Sequence, residues 1–169
     1  DGGGGGVYVG EKCSFTMDGG AITGNKATAG NGGGIYIHFN AGTVSISNAT
    51  ITGNKASATG NTSYGHGGGI YSERGVTVEN VTITGNNSTF EGGGIYGKGA
   101  ITLTDATVTD NNQYDVYYDG RESNTPELTI SGSVKAGYYA NEAWKLPILV
   151  SGALREDSVI RVGVREKPG

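Results

Sequence analysis

The chain has 169 residues, 33 of them glycine and 10 tyrosine, with only 3 prolines and a formal net charge of −4. The glycines lack the strict every-third spacing of collagen, and regularly placed apolar residues exclude a disordered chain. No run of Lys or Arg is long enough to follow a phosphate backbone, and no stretch reaches the roughly 18 apolar residues of a membrane-spanning helix, so neither nucleic acid nor membrane insertion is expected.

In chain order, the first element begins at Val7 in GGGVY, residues 4–8, and the same pentapeptide returns as GGGIY at 32–36, 67–71 and 92–96. Val116 and the tyrosines after it continue the register without the glycines. The spacing of Val7, Ile35, Ile70, Ile95 and Val116 sets a repeat of about 21 to 35 residues. A unit this short cannot bury its own apolar face, so successive units must stack and share one core.

A second strand in each unit alternates apolar and polar residues: Phe15 and Met17, Val44 and Ile46, Val76 and Val78, Ile101 and Leu103, Leu128 and Ile130. Period two means strand, not helix. Cys13 extends the first alternation and reads as a buried thiol; as the single cysteine it can form no internal disulfide. Two residues past each pair stands a corner residue, Gly19, Asn48, Asn80, Asp105 or Gly132, of the types that accept a left-handed turn. A third strand follows with Ile22, Ile51, Ile83 or Val108, and three residues later comes Asn25, Asn54, Asn86 or Asn111.

Short strands joined by corners, with no helical pattern, describe a coil that returns above its own start. The predicted fold is all-β: a single-stranded parallel β-helix, three strands per coil, about five or six coils, with the four asparagines forming a structural ladder. Insertions at 38–42 and 56–66 cluster around the second coil. Residues 1–137 are read as repeat coils and 138–169 as the last coil and a C-terminal cap of the same domain, where Trp144, Pro147 and the charges from Arg155 to Lys167 break the glycine pattern. Asp1 precedes a mid-unit glycine run, so the chain reads as part of a longer solenoid.

The pairing of GGG[IV]Y with [IV]xxN resembles the GG[AIV] and FxxN repeats of polymorphic outer-membrane and autotransporter-passenger proteins, and the wider pectin-lyase-like β-helix surface proteins of bacteria. The resemblance covers about residues 4 to 134, with Ile or Val where Phe is usual. It implies a right-handed coil, which parallel crossovers also favour, together with extracellular or cell-surface display and adhesion. The catalytic residues of the lyase branch find no matching motif here.

Function is sought in the side chains that repeat. With Val7, Ile35, Ile70 and Ile95 inward, Tyr8, Tyr36, Tyr71, Tyr96 and Tyr117 point outward beside a flat glycine stripe, a surface suited to sugar rings or a partner protein. The same tyrosines could instead stack only on one another, or a one-residue slip could turn them inward. Tyr64 and His66, in the rim insertion, join them as ligand-binding candidates, and His38 and His66 are read either as approaching each other at the rim beside Tyr64, Phe90 and Glu91, in a small pocket of mixed character, or as solvated loop histidines. Thr50, Thr52, Thr82, Thr84, Thr107 and Thr109 form rows like those of ice-binding solenoids, or ordinary solvated strands. Asp110, Asp115 and Asp119 are the nearest approach to a carboxylate cluster, and read first as turn residues. No cofactor or metal site is indicated, since two histidines without a further ligand at ligand spacing make none. The expected function is noncatalytic binding of a glycan, or of a protein on a host or neighbouring cell. The alternatives are a polysaccharide lyase or glycosidase, a structural stalk, and an ice-binding solenoid.

Overall fold

The computed structural model describes residues 3–59, 64–119, 128–140 and 148–164. The described residues hold strands and no helix. The first coil comprises β1 (Val7–Val9), β2 (Phe15–Asp18), β3 (Ala21–Thr23) and β4 (Lys26–Thr28). The second comprises β5 (Ile35–Ile37), β6 (Val44–Ser47), β7 (Thr50–Thr52) and β8 (Lys55–Ser57), and the third β9 (Ile70–Ser72), β10 (Val76–Glu79), β11 (Thr82–Thr84) and β12 (Asn87–Ser88). The fourth has β13 (Ile95–Gly97), β14 (Ile101–Thr104) and β15 (Thr107–Thr109). Then come β16 (Val116–Tyr118), β17 (Leu128–Gly132), β18 (Lys135–Ala140), β19 (Ile148–Leu154) and β20 (Val159–Val164).

Every strand pairs in parallel with its counterpart one coil away, which makes the chain a parallel β-helix. The three expected strands recur in each of the first four coils, and the first three of these coils add a short fourth strand, β4, β8 and β12. Toward the C-terminus the cross-section narrows. In β18, Lys135 and Ala136 pair with β15 while Tyr138 to Ala140 pair with β16, so one strand closes two rows into a single 11-stranded sheet.

The register matches like with like. Ile35 lies over Ile70, Ile70 over Ile95 and Ile95 over Val116, and Ile22, Ile51, Ile83 and Val108 form a second buried column. One continuous apolar core runs up the coil interior from Val9 to Ala140. Where Ser72 and Gly97 replace a larger inward residue, the room is taken by Tyr118 of the next coil, whose hydroxyl donates to Lys98 O at 3.3 Å.

All five corner residues named from sequence have positive φ: Gly19 84°, Asn48 53°, Asn80 50°, Asp105 49° and Gly132 69°. Cys13, by contrast, is exposed. Its alternation with Phe15 does not hold because β2 starts only at Phe15, and Cys13 N closes a turn onto Gly10 O at 3.2 Å with Lys12 at φ 59°.

The glycine run and the asparagine ladder explain each other. Gly32 sits at φ 68°, in the left-handed region. A Cβ on Gly33 would overlap the Gly68 carbonyl and the Lys55 backbone, and one on Gly34 would overlap the Gly69 carbonyl and press on the Asn54 carboxamide. That carboxamide is the ladder. The backbone N and Nδ2 of Asn25 both donate to Asn54 Oδ1, those of Asn54 to Asn86 Oδ1 and those of Asn86 to Asn111 Oδ1, each at 3.0 Å. Nδ2 also donates down the coil, from Asn54 to Ile22 O and from Asn86 to Ile51 O at 2.9 Å, so both its protons are used. Asp115 ends the series, its Oδ1 accepting from Asn111 N and Nδ2 at 3.1 and 3.2 Å.

Asn86→Ala would strand the N–H and carboxamide donors of fully buried Asn54. We expect it to lower unfolding free energy by about 3 kcal/mol, read as a lower urea midpoint at unchanged slope. Asn80→Gly, at an exposed positive-φ corner, should shift stability by about 0.5 kcal/mol or less. Equal effects at the two positions would mean that the ladder is not a main support.

Candidate functional site

The tyrosines stand on the outer side of β1, β5, β9, β13 and β16, away from the coil interior. Adjacent coils place ring on ring: Tyr8–Tyr36, Tyr36–Tyr71, Tyr71–Tyr96, Tyr96–Tyr117 and Tyr117–Tyr139 have centroids 5.2, 5.2, 5.1, 5.4 and 5.5 Å apart with planes within 21°. The expected open tyrosine and glycine face is therefore largely closed. Tyr71, Tyr96 and Tyr117 are each 4% exposed and form a second buried cluster, separate from the coil core. The reason is geometric: in a parallel stack each ring covers the faces of its neighbours, and only the ends of the row keep a face toward solvent. Tyr8, the first ring, is 54% exposed. Nor are the glycines a surface stripe, since residues 32–34, 67–69 and 92–94 are buried against the next coil.

Loops cover the flank of the stack. His66 lies 4.6 Å from Tyr96 and 5.4 Å from Phe90, centroid to centroid, with Nδ1 3.1 Å from Glu91 Oε2. The close approach lacks hydrogen-bond alignment. Buried Asn31 fixes this loop, its Oδ1 accepting from Gly65 N at 2.9 Å and His66 N at 3.0 Å. His66 is thus held among Phe90, Glu91 and Tyr96, and the expected meeting with His38 does not occur: His38 lies against Phe39, ring centroids 4.2 Å apart and planes tilted by 39°. Residues 60–63 of the insertion fall outside the described residues.

A row of polar residues runs beside the tyrosines, of which sequence reasoning named His38 and Asp119 in other roles and missed Glu73 and Lys98. His38, Glu73, Lys98 and Asp119 each stand two residues past a tyrosine, and backbone bonds from their N–H groups to Val9, Ile37, Ser72 and Gly97 O, at 3.0, 3.0, 2.8 and 2.8 Å, set them one above another. Carrying the repeat register two residues beyond each tyrosine would have found them. Glu73 accepts from Tyr36 Oη at 2.8 Å, Tyr71 Oη at 3.3 Å and Lys98 Nζ at 3.3 Å, and Asp119 Oδ2 accepts from Tyr96 Oη at 2.6 Å. The three acids noted in the sequence do separate work. Asp110 sits in an exposed turn at φ 58°, Asp115 ends the asparagine ladder and Asp119 holds Tyr96. Among the described residues no group of three metal-ligating side chains comes together.

One cleft runs along the flank of the tyrosine stack from Tyr8 to Lys98, and another opens at its C-terminal end. The first, about 390 Å³, is lined by Tyr8, Tyr36, His38, Phe39, Tyr64, Glu73 and Lys98 among others. Phe39 is 57% exposed and Tyr64 38%. Of the sequence candidates it gathers Tyr8, Tyr36, Tyr64 and Tyr71, while His66, Tyr96 and Tyr117 are not among its lining. The second cleft lies where Tyr114, Tyr139 and Arg161 meet. The threonine rows are in register, Thr50 with Thr82 and Thr107, and Thr52 with Thr84 and Thr109, but Ala21 and Lys135 interrupt the first row.

Comparison with protein-family models, with curated proteins and with solved structures gives no match for this chain.

Burial first, then the adjacent carboxylate of Glu73 or Asp119, pushes the phenols of Tyr36, Tyr71 and Tyr96 well above the usual tyrosine range. A pKa raised on folding means that the folded state keeps its proton after the unfolded chain has lost it. Stability from these groups is therefore intact below about pH 10 and falls as pH rises beyond it. In an alkaline titration, phenolate absorbance from these rings should appear only together with loss of β-sheet circular dichroism. Ionisation of all ten tyrosines with the fold intact would contradict this burial.

Proposed function

We propose that the chain is a noncatalytic recognition module of a secreted or cell-surface bacterial protein, an adhesin of the pectin-lyase-like β-helix kind, and that it holds a glycan in the first cleft. The observation that carries this reading is the set of exposed aromatic rings, Tyr8, Phe39 and Tyr64, around one concave site on an otherwise saturated stack. Flat aromatic surface beside polar groups suits a pyranose, whose C–H face packs on a ring while its hydroxyls meet side chains such as Glu73, Lys98 and His38. A rigid solenoid keeps those groups in place without a hinge. A lyase or glycosidase would use free carboxylates for proton transfer. Glu73, with two phenols and an ammonium on it, is better suited to fixing the stack.

The burial of the middle tyrosines decides how the reading is tested. Tyr71→Ser or Tyr96→Ser would open the aromatic cluster and lower stability, so lost binding there would be uninformative. On a glycan array, Tyr8→Ser, Phe39→Ala and Tyr64→Ala should each weaken retention of bound glycans by about tenfold, the effect of losing one well-placed aromatic contact, with the circular dichroism spectrum unchanged. Full retention by the triple variant would sink the first cleft as the site.

A further inference from the structure

Among the described residues, two consecutive non-glycine residues with positive φ lie beside the second cleft. Tyr114 has φ 76° and Gln113 φ 50°, both in the left-handed region that a bulky side chain avoids. The glycine run of the fourth coil enforces it, since Gly92 N donates to Gln113 O at 2.7 Å and Gly94 N to Tyr114 O at 3.5 Å. A glycine or asparagine would meet this geometry at lower cost, yet a tyrosine occupies it, 43% exposed and stacked on Tyr139 at 4.1 Å with planes 17° apart. Strain held by surrounding structure at a concave site is a pointer to function.

The cleft next to it, about 430 Å³, contains Tyr114, Tyr139, Asn111, Asp115 and Arg161. Arg161 is exposed and has no ion-pair or hydrogen-bond partner among the described residues. Asp115 is already engaged through Asn111 N, Asn111 Nδ2 and Gly137 N. Its remaining lone pairs can only accept, so they admit a hydroxyl and disfavour a bare anion. The three chemistries together select a ligand with a flat C–H face, an anionic substituent and hydroxyl donors.

We propose that this cleft is a second binding site, specific for an anionic sugar, one carrying a carboxylate or a sulfate. The pyranose packs on the exposed ring of Tyr114, the anionic group is held by the fork of Arg161, and a ring hydroxyl donates to Asp115. The site shares with the preceding section only the class of ligand. It lies at the C-terminal end of the tyrosine stack, shares no lining residue with the first cleft, and stands or falls separately.

The test is calorimetric titration of the whole chain with glucuronic acid, N-acetylneuraminic acid, a sulfated glucose, neutral glucose and inorganic sulfate. At least one of the three acidic sugars should bind, and more weakly as salt rises, while glucose and inorganic sulfate give no comparable heat. Which acidic sugar binds decides between carboxylate and sulfate. Arg161→Gln should weaken binding about tenfold or more, as loss of a charge-assisted contact does. Tyr114→Gly should weaken it comparably with the β-sheet circular dichroism unchanged, because the relief of the positive φ offsets the ring contact with Tyr139 that is lost. Tyr8→Ser, in the first cleft, should leave it unchanged. The proposal is overturned if glucose or inorganic sulfate binds as well as the acidic sugars, if none of the sugars binds, if Arg161→Gln has no effect, or if Tyr8→Ser removes the same binding.

Discussion

The structure depends on one constraint, the exact-register approach of each coil to the next through the glycine run. At Gly33 the backbone of one coil touches the Gly68 carbonyl above it and the Lys55 backbone beside it, with no room for a side chain. Only at that separation can the Asn54 carboxamide reach Asn86 on one side and Ile22 O on the other. The same closeness brings the tyrosines within ring-stacking distance. A larger residue in the run would loosen the carboxamides, the rings and the apolar columns at once, because all three share the same coil spacing.

What the sequence disclosed is what repeats within one unit. The five positive-φ corners, the inward isoleucines and the asparagine series were each legible because a local residue type answers a local backbone need. What it hid depends on neighbours from other coils. Tyr71 alternates with Ile70 as a solvent-facing residue would, and its burial comes from Tyr36 below, Tyr96 above and a row of loops whose paths no periodicity encodes. Cys13 was misread for the opposite reason, since alternation was extended past the turn that ends it. Of the partners of the phenols, Asp119 reads from sequence only as a turn residue and Glu73 not at all, although both stand in register two residues after a tyrosine.

Saturation also sorts the surface. A stacked row satisfies its own ring faces internally and its hydroxyls on Glu73 and Asp119, so its middle has little left to offer a ligand. The concave surface lies instead along the flank of the row, from Tyr8 to Lys98, and at its C-terminal end beside Tyr114 and Tyr139. The narrowing of the solenoid contributes at the C-terminal end. With no counterpart of β12 in the fourth coil, the short connection from Asn111 to Val116 turns tightly and presents Tyr114 beside β18 and β20.

The asparagine series also has a direction. Along the series each carboxamide oxygen receives from the N-terminal side, while its Nδ2 gives one proton to the next acceptor on the C-terminal side and the other back to a carbonyl of the preceding coil, so the links from Asn25 to Asp115 all run one way. A carboxylate is a terminator in such a wire: it takes protons and passes none on. The next coil meets it from the other side as a donor, through Gly137 N on Asp115 Oδ2 at 3.2 Å. The carboxamide series thus stops at a single acidic residue, while the parallel strands continue past it through β17 to β20.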